Sequence, residues 1–154
     1  IVAKLVRRDM TGIGKQELRA VPVLGKLMEM GGMVFVDRRR TTSAIEAMAP
    51  LVDALRRDGK SVCIAPEGTR ALTPQLGPFK KGAFHLAIAA GVPVVPIVIH
   101  NSADAQPKHE IAMRPAIVRV EVLPPVDTSR WRTGSIDRHV RDVRQLFLDR
   151  LGQA

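Results

Sequence analysis

Ser61-Val62-Cys63-Ile64-Ala65-Pro66-Glu67-Gly68-Thr69-Arg70 decides the fold class, because an apolar strand runs without a spacer into a carboxylate, a glycine, a hydroxyl and a guanidinium. Ligands of an open parallel sheet collect outside the carboxyl ends of its strands. A glycine there lets backbone approach a ligand closely, and an arginine presents a planar fork matched to phosphate oxygens. The local reading is a phosphate-bearing small molecule held where a strand ends.

Outward from that stretch, helix and strand signals alternate with short turns. Residues 22–30 carry apolar side chains at helical spacing, and Gly31-Gly32 stops them. Residues 33–36 read as a short buried strand ending at Asp37-Arg38. Thr42 or Ser43 can cap a helix from about Ala44, with Ile45, Met48, Ala49, Val52 and Leu55 on one stripe and Asp58-Gly59 as its end. A Pro/Gly-rich loop over 72–78 leads to a helix over 81–90 that closes at Gly91. Residues 92–100 read as a buried strand with an irregular start at its two prolines, and 117–122 as a half-exposed strand. Residues 135–151 form an amphipathic helix with Ile136, Val140, Val143, Leu146, Phe147 and Leu151 on one side. The expected architecture is a single α/β domain over 1–154, a mostly parallel sheet flanked by helices.

Composition narrows the partners. The 154 residues are 45% apolar and carry a net charge of +9, which suits a globular domain with anionic partners. With four Phe, one Trp and no Tyr, the chain has few platforms for base stacking, which weighs against single-stranded nucleic acid. The one cysteine, Cys63, excludes an internal disulfide and a cysteine-based zinc site, and its place in an apolar strand predicts a buried structural thiol. No stretch has the pattern of a signal peptide, and no apolar run approaches the roughly 18 residues that cross a bilayer. The chain opens at Ile1 without an initiator Met, and so reads as a piece of a longer protein.

Val36-Asp37-Arg38 ends its strand much as the opening stretch does, so each delivers an acid and an arginine to one sheet edge. Phe79-Lys80-Lys81-Gly82 adds a basic element at a helix start, where free backbone amides favour anions. Arg38, Arg70 and Lys81 can thus surround one phosphate. The bland alternative is surface ion pairing, such as Asp37 with Arg39 or Glu67 with Arg70.

These blocks resemble those of the bacterial 1-acylglycerol-3-phosphate acyltransferases, the lysophosphatidate acyltransferases of the glycerolphosphate acyltransferase superfamily. Gly32-Met33-Val34-Phe35-Val36-Asp37-Arg38 is similar to the family's second block, Ala65-Pro66-Glu67-Gly68-Thr69-Arg70 to its third, and Val92-Pro93-Val94-Val95-Pro96-Ile97 to its fourth. Phe79-Lys80-Lys81-Gly82 stands between the last two as it does in the family, and the likeness covers roughly residues 1–101. The resemblance implies a glycerolphosphate-acyltransferase-like fold and transfer of a fatty acyl chain from acyl-CoA or acyl carrier protein to the free hydroxyl of lysophosphatidate. It implies no cofactor beyond that acyl donor. It assigns Arg38 and Arg70 to the acceptor's phosphate, and Glu67, Gly68 and Thr69 to its glycerol portion. Lys81 would serve the phosphate or the donor's phosphates, while Pro96 and Ile97 would shape a pocket. The partners implied are a lysolipid, the acyl donor and an anionic membrane surface, with the domain peripheral on the cytoplasmic side and no role for nucleic acid.

The family's first block, a histidine followed five residues later by an aspartate, supplies the general base. Here Ala90, Ala105, Arg114 and Arg144 stand five residues after His85, His100, His109 and His139, so no catalytic residue is expected in this chain. By the spacing of the later blocks the dyad would lie upstream of Ile1. A lysophospholipid- or CoA-binding module without a base is the alternative, with a basic nucleic-acid-binding domain behind it.

Other signals carry less. Gly59-Lys60-Ser61 resembles the end of a P-loop, but Ala54 stands where the leading glycine belongs and the lysine precedes a strand. No Gly-x-Ser-x-Gly elbow occurs. His100 reads as a solvated loop residue, His85 as a core or boundary residue, and His139 as facing the polar side of the last helix. Arg39 and Arg40 are either a solvated edge or a contact for anionic headgroups.

Overall fold

The computed structural model describes residues 9–11, 13–30, 33–36, 48–68, 73, 75–105 and 114–153, and the chain gathers into two compact units. The first comprises Ile1–Ala65 and His85–Val92, the second Pro66–Phe84 and Pro93–Ala154.

In the first unit β1 (Met10–Thr11) pairs in parallel with β4 (Ser61–Val62), Met10 opposite Ser61 and Thr11 opposite Val62. β2 (Ile13–Lys15) pairs in parallel with β3 (Val34–Val36) in the register Ile13–Val34, Gly14–Phe35 and Lys15–Val36. Parallel neighbours need a crossover rather than a tight hairpin. Between β2 and β3 that connection carries α1 (Gln16–Arg19) and α2 (Leu24–Met30); α3 (Ala49–Arg56) precedes β4. The helix expected from residue 22 starts only at Leu24, because Val23 adopts φ +65°, a conformation that cannot propagate a right-handed helix.

The proposed caps Thr42 and Ser43 lie outside the described residues. In the described part of that helix Pro50 occupies the first turn, where a missing N–H leaves nothing unpaired. Leu51 (1% exposed) packs on Leu86 (3%), with Met48, Val52, Leu55, Val62 and Ile64 around them. Ala49, placed on the apolar stripe by its spacing, is exposed instead, and Leu51 and Ala54 take the innermost positions. Leu86 comes from α4 (Gly82–Ala90), and Arg56 Nε donates to the carbonyl of Ala90 at 3.0 Å, a cation at a helix C-terminus.

Cys63 corrects the sequence reading: it is exposed, not buried. Accessibility alternates along the strand and its extension, with Val62 and Ile64 half-buried against the Leu51–Leu86 cluster while Ser61, Cys63 and Ala65 are exposed. The two-residue period of extended chain puts the thiol on the other face. Local desolvation still raises its pKa above the ordinary thiol value, which lowers its thiolate fraction.

In the second unit β5 (Ile97–Ile99) runs antiparallel to β6 (Val120–Val122), with Val98 fully buried opposite Glu121. Regular pairing starts only after Pro96, since proline donates no ladder bond. Before it, Val94 and Val126 form an isolated bridge. Ile117, expected inside a strand, is 94% exposed ahead of β6. α5 (Ser102–Ala105) is a single turn. α6 (Ile136–Leu151) follows a 3-10 turn at Thr133–Ser135 and ends at Gly152, whose N–H donates to the Leu148 carbonyl and whose φ of +65° turns the Gln153 N–H back to the same carbonyl at 3.0 Å. Ile136 and Val143 of α6 are buried, whereas Leu146 is 37% exposed at the edge of its apolar side.

Two histidines depart from expectation here. His139 stacks on Trp131 with ring centroids 4.7 Å apart, and Trp131 in turn stacks on Phe84 at 5.7 Å. An imidazole on the helix flank thus finishes an aromatic column instead of facing water. His100, read as a solvated loop residue, is half-buried after β5 with its Nε2 3.0 Å from Glu121 Oε1, because the antiparallel register brings β6 alongside. Glu121 also accepts from Arg119 at 2.5 Å, and that hydrogen bond, ahead of the pairing with His100, holds its carboxyl below the usual range.

Leu51→Ala should destabilise the protein by about 3 kcal/mol, since the Leu86 cluster cannot collapse fully into the space left. Urea unfolding of the wild type and the variant checks it.

Candidate functional site

In the second unit the opening stretch turns at Pro66–Gly68. Gly68 has φ +71°, a conformation costly for any residue bearing a Cβ. Lys80 closes over this turn twice. Its backbone N–H donates to the Pro66 carbonyl at 2.8 Å. Its side chain lies along Gly68, so a Cβ there would stand 3.1 Å from Lys80 Cδ and 3.4 Å from Nζ. The bare backbone of Gly68 and the ammonium of Lys80 are therefore neighbours.

Glu67 faces into the same loop. Its Oε2 accepts the Gly77 N–H at 2.9 Å, and a Cβ on Gly77 would sit only 2.7 Å from that oxygen. The carboxylate can come this close because residue 77 has no side chain. Arg144, on α6, donates from Nε to the Gly77 carbonyl at 3.0 Å and from a terminal nitrogen to the Leu76 carbonyl at 2.8 Å. Gln153, just past the helix end, accepts the Leu76 N–H at 2.7 Å. Phe79, buried, meets Phe147 of α6 edge-on at 5.2 Å and gives the loop an apolar anchor.

Of the residues singled out by sequence, Glu67 and Gly68 share this turn. Lys81 points elsewhere: its Nζ is 2.7 Å from Asp137 Oδ1 and donates to Oδ2 at 2.9 Å. Both side chains are at least half exposed, so the pair contributes little to stability. The Lys81 hydrogen bond is the first cause of a lowered Asp137 pKa. Arg38, Thr69 and Arg70 lie outside the described residues. Sequence reasoning missed Lys80 and Arg144. Lys80 was legible only as half of a Lys-Lys pair, and nothing in the spacing says which lysine folds back over the turn. Arg144 was one arginine on a polar helix flank and carried no separate signal.

Among the described residues no group of three or more His, Cys, Asp or Glu side chains could hold a metal ion, and no helix is long and apolar enough to cross a membrane.

A family model described as acyltransferase matches residues 1–100, which takes in the Glu67–Gly68 turn and Lys80-Lys81. The chain belongs to the acyltransferase family. It is 30% identical over all of its length to a 1-acyl-sn-glycerol-3-phosphate acyltransferase of Cocos nucifera, of which it covers 50%. It is 32% identical over 98% of its length to that of Salmonella typhimurium, covering 61% of it. It is 37% identical over 88% of its length to the alpha form of Ovis aries, covering 47%. The chain thus spans half to three-fifths of the length of these relatives. In fold it is similar to the crystal structure of the 1-acyl-sn-glycerophosphate (LPA) acyltransferase of Thermotoga maritima, with a TM-score of 0.71 over 94% of this chain and 56% of that one, at 24% identity. That likeness agrees with the α/β architecture read from the sequence.

Lowered by Lys81, the Asp137 carboxylate adds its stability above the ordinary aspartate range and loses it as the pH falls through the depressed value. Lys81→Met should move the Asp137 midpoint upward, measured by NMR titration of the side-chain carboxyl carbon.

Proposed function

We propose that the protein to which this chain belongs transfers a fatty acyl group from acyl-CoA or acyl carrier protein to the free hydroxyl of 1-acylglycerol 3-phosphate, making phosphatidate. The acceptor oxygen attacks the thioester carbonyl, the new C–O ester bond forms and the C–S bond breaks. The hydroxyl proton passes to a general base, and the thiolate leaves and takes up a proton. No cofactor is needed beyond the donor. The base is the histidine of the family's His-x4-Asp block, which this chain does not contain.

The share of the work assigned to this chain is acceptor binding. Arg38 and Arg70 hold the phosphate, and Glu67, Gly68 and Thr69 place the glycerol portion. Lys80 joins them as a cation beside Gly68, whereas Lys81 is engaged by Asp137. The observation that carries this reading is the Glu67–Gly68 turn, where a bare backbone, a carboxylate and the Lys80 ammonium meet in the block that precedes Arg70. Fixing one end of a substrate with cations leaves its hydroxyl in a defined place, and correct placement alone is worth several kcal/mol of barrier, on the order of a hundredfold or more in rate. The names of the relatives support the same substrate class.

A single-chain lipid acceptor resides in a bilayer, so the protein works at a membrane surface, on the cytoplasmic side. The first unit offers an apolar ridge suited to that surface. Leu24, Leu27 and Met30 recur at helical spacing along α2, with Leu27 59% and Met30 77% exposed, and Val23 precedes them, also exposed. Lys26 is exposed on the same helix, and the chain's charge of +9 suits an anionic leaflet.

In an acyl-transfer assay on the complete protein with lysophosphatidate, Arg70→Ala should lower turnover by about a hundredfold, and Lys80→Ala should raise the acceptor KM by about tenfold. Wild-type rates in Arg70→Ala, or no transfer by the complete protein, would overturn the reading. Flotation with vesicles of phosphatidylcholine and phosphatidylglycerol checks the surface: the Leu27→Glu, Met30→Glu double variant should bind less than the wild type.

A further inference from the structure

We infer that Arg144, on the C-terminal helix, is a positioning residue for Glu67 and through it for acceptor binding; this rests on the acyltransferase reading above. Leu76 and Gly77 are adjacent in the loop before Phe79. Between them they present two N–H donors and two carbonyl acceptors, in a loop with no strand or helix partner to take them. All four are taken by side chains. The Leu76 N–H goes to Gln153, the Gly77 N–H to Glu67, and both carbonyls go to the Arg144 guanidinium at 2.8 and 3.0 Å.

Geometry makes Arg144 the group that sets the rest. Its planar fork reaches two successive carbonyls at once, which fixes the orientation of the intervening peptide as well as its place. That peptide carries the Gly77 N–H, and the Gly77 N–H is what Glu67 accepts. The guanidinium therefore holds the donor that holds the carboxylate, across 77 residues of sequence. Gln153 completes the set from the helix end, where its own N–H is tied to the Leu148 carbonyl at 3.0 Å. A lysine at 144 offers no fixed fork and could not hold both carbonyls in this way.

The absence of a side chain at Gly77 supplies a second, independent handle. A Cβ there would meet Glu67 Oε2 at 2.7 Å, the mobile end of a flexible side chain. Gly77→Ala should therefore displace the carboxylate and leave the Arg144 bonds intact, with little cost to folding.

The test uses the complete protein. Arg144→Ala and Gly77→Ala should each raise the KM for lysophosphatidate by about tenfold while the KM for the acyl donor stays put. The double variant should be little worse than either single one, because both act through Glu67. Arg144→Lys should fall between wild type and Arg144→Ala. Amide hydrogen exchange at Leu76 and Gly77 should quicken in Arg144→Ala. An unchanged acceptor KM in both single variants, full additivity in the double, or exchange at the wild-type rate would each overturn the proposal. Should Arg144→Ala fail to fold, Arg144→Lys decides both the kinetic and the exchange arms, and Gly77→Ala still tests the role of Glu67. If the wild type transfers no acyl group, the acyltransferase reading falls first, and the exchange arm still decides whether Arg144 holds the loop.

Discussion

A peptide group half withdrawn from water still needs partners for its polar atoms, and a loop with no ladder to join finds them among side chains. The Leu76–Gly77 pair meets that demand with Arg144, Gln153 and Glu67. Each such bond adds only about 1 kcal/mol net, but leaving one unmade costs more, so the arrangement tolerates few alternatives. The candidate binding turn inherits its shape from this constraint. Glu67 is held by Gly77, Gly68 follows with a positive φ, and Lys80 returns over it through the Pro66 carbonyl.

The same unit shows how a basic chain distributes its charge. Lys81 is neutralised by Asp137, and Arg144 spends its guanidinium on backbone carbonyls. Arg119 engages Glu121 beside His100. Lys80, by contrast, lies on a glycine, with its ammonium at the turn. Formal charge counts of a sequence therefore overstate the cations at work in a site, and position decides which of them an anion meets.

Much of the fold was legible because it rests on local periodicity. The helical spacing over 81–90 and 135–151 predicts α4 and α6 to within a residue, since an apolar stripe and a terminal glycine such as Gly91 are local signals. Apolar runs mark the strand at 33–36 and the start of the one leading into Glu67, although regular pairing of the latter covers only Ser61–Val62 of the expected 61–65. Misreadings arose where a face or a partner had to be chosen. The apolar neighbours of Cys63 point to the core, yet register puts it on the other side of the strand. Sequence position points His100 and His139 to solvent, yet one meets Glu121 across the antiparallel pair and the other meets Trp131.

The sequence by itself determined the alternation of helices and strands, the acidic, glycine and basic residues that follow β4, and the family to which they belong. These depend on residue type and short-range order, which a linear chain displays in full. Only the tertiary structure decided that Lys80 rather than Lys81 closes over Gly68, and that Arg144 holds the loop carrying the Gly77 N–H. Those pairings join residues 12 to 68 positions apart in the chain. Such contacts are selected by packing and by the need to satisfy backbone polar groups, and neither leaves a mark in local spacing.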